Sequence, residues 1–393
     1  MLPPIYITGI GLISAAGGDV SQTLSSFRNG APAAEPKPFS ETTLDCPAFP
    51  AAQKPRSSLC QTDCPSRTVV LALHAVEEAL ERAGRPDRET TLRIGVCMGT
   101  TVACQLNNLR FYKQFRQTSR PSLEPVRDFL NGNLAQFVAA SLDAHGPRAT
   151  VVNACSSGAD AIGMAVHWLQ NDLCDIAVAG GADELNRIPI CGFHSLGIMS
   201  DNPCKPFDRN REGLNLGEGA GALVLESETS ARKRGREQEL FLKSYAAGCD
   251  AHHITAPHPE GVGLKLALEY ALKSAEIKPD DIAFVNAHGT ATPDNDQVEG
   301  NVLAEFFGED LVFLSTKGYT GHTLGAAGAL EAGFTALALQ VGWLPANRGF
   351  QNADPDIPIS PLVEKTPIVG RAAVSTSLAF GGNNAAIVIG RGT

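Results

Sequence analysis

The chain contains one structural unit twice, and this duplication limits the folds open to it more than any other feature. The helical patterns of residues 71–89 and 264–281 both contain Leu-Ala-Leu. Each leads into an apolar run that stops at Gly-Thr, at residues 93–100 and 282–290. In both halves a helix rich in small residues follows, and apolar strands close the unit. We therefore predict an internal duplication of a strand–helix unit.

The closing strands indicate how the two copies are layered. Residues 176–184 and 385–390 are apolar along most of their length, which indicates a sheet covered on both faces. Short apolar runs alternating with longer helical patterns indicate mixed α/β layers. We predict a thiolase-like five-layer αβαβα sandwich, with residues 1–240 as the first half and residues 241–393 as the second. The connections at 104–133 and 192–215 are read as long loops, which are usually functional.

Composition and charge exclude several classes of function. The formal net charge of −10 argues against a nucleic-acid-binding surface as the main function. No apolar run approaches the roughly 20 residues of a membrane span, and the N-terminus reads as a first strand rather than a signal peptide. Ten cysteines are scattered through the chain, several in apolar segments, which suits a reducing cytoplasm. Cys46, Cys60 and Cys64 have poor spacing for zinc, so we predict no metal there.

Cys155 lies where an apolar strand ends and a helical pattern begins. A helix N-terminus carries about half a positive charge, which lowers the pKa of a thiol from about 8.5 towards 7. Residues 156–159 are small and leave room for a substrate near the backbone. Because free cysteine is also commonly buried, this position alone leaves a reactive and a structural thiol equally open.

Two histidines favour the reactive thiol. His288 follows an apolar strand in Asn-Ala-His-Gly-Thr, and His322 precedes a helix rich in Gly and Ala. In a duplicated fold these positions are strand–turn–helix edges that correspond to the edge carrying Cys155. A single histidine is more often structural, but two at such edges beside a cysteine are candidates for a nucleophile with its partners.

Several segments together resemble one enzyme family. ACSSG, NAHGTATPDND, STKGYTGHTLGAAGALEA and LAFGGNNA resemble the active-site segments of the β-ketoacyl-acyl carrier protein synthases, in the elongating branch of the thiolase superfamily. KPFDRNREGLNLGEGAGALVLE and GCDAHHITAPHPEG are similar to further blocks, in the family's order. The resemblance covers nearly the whole chain. It implies decarboxylative Claisen condensation of an acyl-Cys enzyme with malonyl-acyl carrier protein, giving 3-oxoacyl-acyl carrier protein.

The resemblance assigns catalytic roles to matching residues. Cys155 would take the acyl chain from the carrier protein as a thioester. Neutral His288 and His322 would donate hydrogen bonds to the malonyl thioester oxygen and stabilise the enolate. The backbone N–H groups of Cys155 and Phe380 would form the oxyanion hole. The His-His pair favours elongation, since thiolases use a second cysteine and chain-initiating synthases use His and Asn.

Supporting residues follow from the same resemblance. Lys317 would act through Glu299, either chemically or as a buried ion pair that holds the loop. Thr290 and Thr292 would bond the phosphopantetheine arm, which the carrier protein brings, so no cofactor of the enzyme is expected. The full substrate-binding set is Thr290, Thr292, Glu299, Leu378, Gly381 and Asn383. The positions that could hold a monovalent cation are Asn286, Glu331 and Ser375.

The chain departs from the family pattern in three places. Leu378 stands where many members have phenylalanine, Asn383 stands where threonine is usual, and ACSSG replaces the common ACATG. Leu378 either alters the gate over the acyl pocket or is neutral drift.

The resemblance also implies an acidic carrier protein as partner, and hence a basic docking patch. The candidates for this patch are Arg67, Lys205, Arg209 and Arg211, with Arg110, Lys113, Arg116 and Arg120 recurring on the long connection. A dimer is expected, either a homodimer or a heterodimer with a homologous subunit. Fatty-acid synthesis and type II polyketide or polyene synthesis remain equally open. The alternative is a chain-length-factor-like binding subunit, which would be expected to have lost the cysteine; Cys155 argues against it.

Overall fold

The computed structural model describes residues 4–60, 66–86, 92–101, 105–123, 133–236 and 239–392. Within them the strands are β1 (Ile5–Ile13), β2 (Lys37–Pro38), β3 (Pro47–Ala48), β4 (Ile94–Gly99), β5 (Arg148–Val151), β6 (Ile176–Asp183), β7 (Gly219–Ser227), β8 (Leu240–Cys249), β9 (Ile282–Asn286), β10 (Phe313–Leu314), β11 (Trp343–Leu344), β12 (Thr366–Pro367), β13 (Ala372–Ala379) and β14 (Asn383–Arg391). The α-helices are α1 (Val20–Asn29), α2 (Arg67–Ala83), α3 (Gln105–Thr118), α4 (Leu134–Leu142), α5 (Ser157–Gln170), α6 (Arg187–Ser195), α7 (Glu228–Lys233), α8 (Val262–Ala275), α9 (Pro293–Phe307), α10 (Lys317–Thr320) and α11 (Ala327–Val341). Pro279–Asp281 and Leu324–Ala326 form 3-10 turns.

Ten strands form one sheet in which the same pattern occurs twice. The order is β5-β4-β6-β7-β1-β8-β14-β13-β9-β10. From either outer edge inwards, the first two pairings are parallel and the next two are antiparallel. A short antiparallel pairing of Ile5 and Tyr6 with Leu242 and Phe241 joins the halves. The predicted duplication is therefore confirmed. The boundary between residues 240 and 241 stays a prediction, and β8 begins at Leu240.

The helices place these half-sheets in five layers. Helices α2 and α4 cover the outer face of the first half-sheet, and α8 with α9 covers the outer face of the second. Between the half-sheets lie α5 and α11, each of which contacts strands of both halves. The αβαβα sandwich is as predicted, because strands buried on both faces need a helix layer on each side.

Glycine allows the two central helices to approach closely. A Cβ atom on Gly328 of α11 would lie 2.8 Å from Cβ of Ala159 on α5. A Cβ on Gly158 would lie 2.9 Å from the backbone nitrogen of Ala329. The small-residue composition of both helices is therefore a packing requirement, and it brings their N-terminal ends to one site.

One segment is longer and more apolar than we expected from the sequence. Leu324–Val341 has 18 residues with mean hydropathy 1.3, enough by length and composition to cross a membrane. Because 89% of it is buried within the fold, it is the central helix of the sandwich rather than a lipid-facing one.

The two connections predicted as loops contain helices. Helix α3 lies within 104–133, and Gln105–Thr118 contains neither glycine nor proline to break it. Helix α6 overlaps 192–215; its proline, Pro189, lies in the first turn, where a missing N–H costs no helical bond. Cys60 is disulfide-bonded, which the expectation of reduced cysteines did not include. The zinc alternative also involved Cys64, which lies outside the described residues.

Candidate active site

The candidate nucleophile lies in a tight turn between β5 and α5. Ala154 has φ of +48°, a left-handed conformation that non-glycine residues rarely adopt. Ser156 is the N-cap residue of α5, so Cys155 directly precedes the helix. Ser157 Oγ accepts from the backbone nitrogen of Asn153 at 2.8 Å and donates to Ala154 O at 2.6 Å. These bonds hold the strained turn, and Cys155 is only 5% exposed.

His322 and Cys155 are in direct contact. Nε2 of His322 lies 3.0 Å from Sγ of Cys155. The backbone of His322 is fixed, since its N–H donates to Asn215 O at 2.7 Å and its carbonyl accepts from Gly217 N at 2.9 Å. Its Nδ1 is buried and has no hydrogen-bond partner among the described residues. The described residues therefore leave the tautomer of this ring open.

His288 is held by two groups from other elements. Its backbone N–H donates to Glu299 Oε1 at 2.8 Å and approaches Thr376 Oγ1 at 3.2 Å. Glu299 also accepts from Gly289 N at 2.8 Å and from Thr376 Oγ1 at 2.7 Å. Glu299 is fully buried and is not among the residues that line the cavity, and its bonds hold the His288 loop. Its place in the substrate-binding set stays a prediction.

Lys317 is tied to Glu331, and not to Glu299 as predicted. Its Nζ forms a short ion pair with Glu331 Oε1, donates to His288 O at 2.5 Å and lies 3.1 Å from His288 Nδ1. An ammonium group has donors only, so Nδ1 of His288 must accept. The proton of this imidazole is therefore on Nε2, the nitrogen available to a substrate.

Burial controls the protonation of the site. It lowers the pKa of both His288 and His322 well below the usual value, and Lys317 lowers each further. Both rings are thus neutral at physiological pH. Burial also raises the pKa of the Glu331 carboxyl to about 7, with Lys317 opposing.

The thiol behaves differently from the sequence-based expectation. Burial raises the pKa of Cys155 to about 12, although Lys317 and a hydrogen bond from the Phe380 backbone oppose this shift. Loss of hydration is the largest cause of this shift, whereas the helix N-terminus considered alone predicted a lowered pKa. Cys155 is therefore a protonated thiol in the resting state, and its proton needs an acceptor such as the adjacent imidazole.

Phe380 carries both a backbone donor and an aromatic ring to the site. Its N–H is directed at the Cys155 sulfur. Its ring stacks on Phe193 of α6, with centroids 5.4 Å apart and planes at 14°. Asn383 Nδ2 donates to Phe380 O at 3.3 Å, and Gly381 N donates to Ile254 O at 2.7 Å. Gly381 and Asn383 thus shape the Phe380 turn and do not line the cavity.

The catalytic candidates open into one cavity of about 350 Å³. Cys155, His288, His322 and the Phe380 turn lie in its wall. Further lining residues from the predicted set are Thr290, Thr292 and Leu378. The hydroxyls of Thr290 and Thr292 are hydrogen-bonded to each other at 2.9 Å, and their contact with a phosphopantetheine arm stays a prediction.

The three cation candidates lie together beside Lys317. Asn286 and Ser375 are paired on adjacent strands, and Asn286 Nδ2 donates to Glu331 O at 3.1 Å. Oδ1 of Asn286 and Oε2 of Glu331 are buried without a hydrogen-bond partner in the described part of the chain. These are the oxygens that a monovalent cation held by Asn286, Glu331 and Ser375 would use, and that cation site stays a prediction.

The proposed docking residues do not form one equivalent set. Arg67 is the first residue of α2 and pairs through two nitrogens with Glu218, at 2.8 and 2.6 Å. Arg211 is buried against Asp354 and Pro293 O, so it holds the loop and its place in a docking patch is wrong. Arg209 is exposed and Lys205 is half-buried. Lys113, Arg116 and Arg120 are exposed on or after α3, and the side chain of Arg110 lies outside the described part.

Sequence reasoning missed several residues of the site. Phe193 and Asn295 line the cavity, and Thr376 binds Glu299. Phe193 lies in the segment predicted as a loop, so the helical spacing within it was the available signal. For Asn295 and Thr376 the sequence offers no local signal, since their roles depend on packing between elements.

The comparisons with known proteins agree with this geometry. A family model described as "Beta-ketoacyl synthase, N-terminal domain" matches residues 3–231, and its C-terminal counterpart matches residues 241–351. The chain is 34% identical over 336 residues to the mitochondrial 3-oxoacyl-[acyl-carrier-protein] synthase of Arabidopsis thaliana, covering 81% of this chain and 73% of the relative. It is 35% identical over 335 residues to 3-oxoacyl-[acyl-carrier-protein] synthase 2 of Staphylococcus aureus, covering 81% and 82%.

Solved structures with the same fold are equally informative. A chain of the ishigamide ketosynthase/chain length factor superposes with a TM-score of 0.91 at 28% identity, covering all of both chains. A chain of the ketosynthase ApeO in complex with its chain length factor ApeC, from Xenorhabdus doucetiae, gives a TM-score of 0.86 at 31% identity, covering 99% and 98%. The predicted fold class is confirmed by these superpositions.

Proposed function

The chain belongs to the β-ketoacyl synthase family, and from this membership we propose that it condenses an acyl group held on Cys155 with malonyl-acyl carrier protein, giving 3-oxoacyl-acyl carrier protein. The contact between Cys155 Sγ and His322 Nε2 at 3.0 Å, in the same cavity wall as His288, carries this proposal. It brings a nucleophile, a proton acceptor and a second imidazole together.

The first step transfers the acyl chain to Cys155. The thiol proton moves to His322 Nε2, because the raised pKa of Cys155 leaves little free thiolate. Sγ then attacks the acyl thioester carbonyl, and the N–H groups of Phe380 and Cys155 stabilise the oxyanion. The tetrahedral intermediate expels the pantetheine thiolate, which takes the proton back from His322. The products are acyl-Cys155 and free carrier protein.

The second step forms the new carbon–carbon bond. Malonyl thioester loses CO₂, and the electron pair of the broken bond becomes an enolate. Its oxygen accepts hydrogen bonds from Nε2–H of His288 and from His322, since both rings are neutral donors. The enolate carbon attacks the acyl carbonyl, the bond from that carbonyl to Sγ breaks, and the Cys155 thiolate takes a proton from water.

The two histidines suit different demands in this cycle. Lys317 fixes His288 as a donor at Nε2 throughout. His322 must accept a proton in the first step and donate a hydrogen bond in the second, and no described residue fixes its Nδ1. The freedom of this ring to change tautomer supports the double role.

The partners follow from the same proposal. The substrates are borne by an acyl carrier protein, whose 4'-phosphopantetheine arm enters the cavity past Thr290 and Thr292. We place the protein in the cytoplasm as a dimer, with a homodimer or a heterodimer with a homologous chain both open. Light scattering tests the dimer, and a monomer would contradict it. The pathway is fatty-acid synthesis or type II polyketide synthesis.

The second candidate function is that of a chain-length-factor-like subunit. Two similar structures contain a ketosynthase together with a chain length factor, which favours considering it. Such a subunit needs no reactive cysteine, whereas Cys155 here contacts an imidazole.

A condensation assay separates the two functions. The protein is incubated with malonyl-carrier protein and with carrier proteins that bear acyl groups of graded length. The product is identified by mass spectrometry. We expect 3-oxoacyl-carrier protein and release of CO₂ from the protein alone. Absence of both, with activity only when a catalytic homologue is added and no loss of that activity in Cys155→Ala, would favour the binding subunit.

A further inference from the structure

The nucleophile turn is held by a carboxylate that no step of the reaction uses. Asp160, in the first turn of α5, accepts from Asn153 Nδ2 at 2.6 Å through Oδ2. Ser156 Oγ lies 2.8 Å from the same oxygen. Tyr245 donates its hydroxyl proton to Oδ1 at 2.8 Å. Asn153 and Ser156 lie on either side of the strained Ala154-Cys155 pair, so one carboxylate connects both ends of the turn.

Tyr245 brings the second half of the molecule to this turn. It lies on β8, the strand that joins the half-sheets, and packs across α5 at Gly163. A Cβ at Gly163 would lie 2.2 Å from Cδ1 of Tyr245, so only glycine allows the ring to reach Asp160. Burial and the neighbouring Asp160 raise the pKa of the Tyr245 phenol, which stays a donor at neutral pH.

The serine at position 156 takes part in the same contacts. Its hydroxyl makes no N-cap bond to the helix and instead lies within hydrogen-bond distance of Asp160 and of Asn153 O, at 2.9 Å. Alanine, which many family members carry at this position, could not do this. Where ACATG has alanine, ACSSG has Ser156, whose hydroxyl is a hydrogen-bond donor that reaches Asp160.

From these contacts we propose that Asp160 and Tyr245 are positioning residues for Cys155, which hold the nucleophile turn so that Sγ reaches both His322 Nε2 and the Phe380 N–H. The proposal rests on the condensing function above. Neither residue touches the reacting atoms. A left-handed alanine persists only where its surroundings fix it, and here Asn153 and Ser156 are fixed through one carboxylate.

We expect loss of the Asp160 and Tyr245 contacts to impair proton transfer from Cys155 Sγ to His322 Nε2. Without these contacts the turn relaxes and Sγ moves away from His322 Nε2. A misplacement of about 1 Å in an active site can cost about a hundredfold in rate. Asp160 and Tyr245 are not among the residues that line the cavity, so substrate binding should be unchanged.

The test uses three variants of the full chain with matched controls. Asp160→Asn keeps the shape of the side chain, Tyr245→Phe removes one hydroxyl, and Gly163→Ala displaces the Tyr245 ring. Asp143→Asn and Tyr270→Phe change the same residue types at exposed positions. Single-turnover acylation of Cys155 by acyl-carrier protein, kcat and KM for malonyl-carrier protein, and the thermal midpoint are measured for each.

We expect Asp160→Asn to slow acylation by about ten- to a hundredfold, with KM within about twofold of wild type. Tyr245→Phe should slow acylation by about three- to tenfold, because it removes one hydrogen bond and is the least disruptive of the variants. Gly163→Ala should match Tyr245→Phe, and both controls should match wild type. Acylation at the wild-type rate in folded Asp160→Asn and Tyr245→Phe would overturn the proposal.

A pH profile separates positioning from a purely structural role. Alkylation of Cys155 by iodoacetamide in wild type should include a component independent of pH, since the thiol proton can pass directly to His322. In Asp160→Asn this component should vanish, and the rate should rise about tenfold per pH unit as the thiol ionises. An unchanged profile would contradict the proposal. Alkylation needs no carrier protein, so this result stands even if wild type fails to condense, which would refute only the function.

Discussion

The two halves of the molecule have the same frame and carry different chemistry at the same edges. Cys155 follows β5 in the first half, and His322 follows its counterpart β10 in the second. His288 follows β9, whereas Thr100 follows the matching strand β4. Asp183, at the end of β6, binds Thr100, Thr101 and Gly325. The first half thus supplies a nucleophile on a structural support, and the second half supplies the imidazoles.

The difference between the halves shows that duplication determines where corresponding residues lie, but not what these residues do. The sheet order brings the ends of corresponding strands to the central helices, so residues at these ends meet across the interface. What each does depends on its neighbours. His288 has Lys317 at Nδ1, and His322 has the thiol at Nε2.

Removing one catalytic side chain from each half tests most strongly whether the two halves have different chemical roles. Cys155→Ala should lower condensation by a factor on the order of 10⁶, as loss of a covalent nucleophile does, while malonyl decarboxylation continues. His288→Ala should lower decarboxylation by about 10²–10³ and leave acylation of Cys155 intact. Both steps are followed by mass spectrometry and CO₂ release. If each variant lost both steps equally, the division between the halves would be wrong.

The two histidines can be compared with each other through acylation. His322→Asn should slow acylation of Cys155 by about 10²-fold, because it removes the proton acceptor 3.0 Å from Sγ. His288→Asn is the matched control and should stay near the wild-type rate, since it does not contact the thiol. Stopped single-turnover reactions measure both. Equal slowing in the two variants would show that neither ring has a separate role.

The contact between Lys317 and His288 allows a test of whether Lys317 fixes the tautomer of His288. Lys317→Met leaves Glu331 buried without its cation and should lower the free energy of unfolding by about 3 kcal/mol. Lys317→Met with Glu331→Gln removes both charges and should recover most of that stability. Decarboxylation should stay about tenfold or more below wild type in both, because the tautomer of His288 is no longer fixed. Urea unfolding and CO₂ release report the two effects, and recovery of the rate in the double variant would refute the tautomer argument.

The smallest expected effect concerns the thiols at alkaline pH. Burial raises the pKa of Cys155 from 9.0 to about 12, so this group stabilises the fold below pH 9 and ceases to do so as the pH rises towards 12. Cys155→Ser should therefore reduce the slope of unfolding free energy against pH by about 1.4 kcal/mol per pH unit between pH 9 and 11. Cys191→Ser, at an exposed thiol, is the matched control. The urea midpoint measures both, and equal slopes for the two variants would contradict burial of Cys155.

The duplication and the meeting of Cys155 with His288 and His322 could be predicted from the sequence. Local apolar patterns predict where strands end and helices begin. In a repeated sheet the corresponding strand ends lie at the same edge, so residues at these ends lie close together. The partner of Lys317 could not be predicted that way. Glu299 and Glu331 are both acidic residues of buried helices, and only the packing of α9 and α11 decides which one reaches Nζ.

The sequence-based predictions for the pKa of Cys155 and for the role of Arg211 were wrong for a related reason. The helix start beside Cys155 is a local feature and predicts a lower pKa, but burial raises the pKa in a site where His322 and Phe380 of the second half contact the sulfur. Arg211 reads as a surface cation among basic neighbours, yet Asp354, 143 positions away in the sequence, buries it in an ion pair. Both outcomes depend on residues distant in the chain.

The central claim is that Cys155 takes the acyl chain, and the mass of its peptide tests this most directly. The protein is incubated with acyl-carrier protein, digested and read by mass spectrometry, with Cys155→Ala as the control. We predict one acyl adduct, on the peptide containing Cys155, that hydroxylamine removes as expected for a thioester and that is missing in the control. No adduct, or an adduct only on exposed Cys191 or Cys249, would contradict the account.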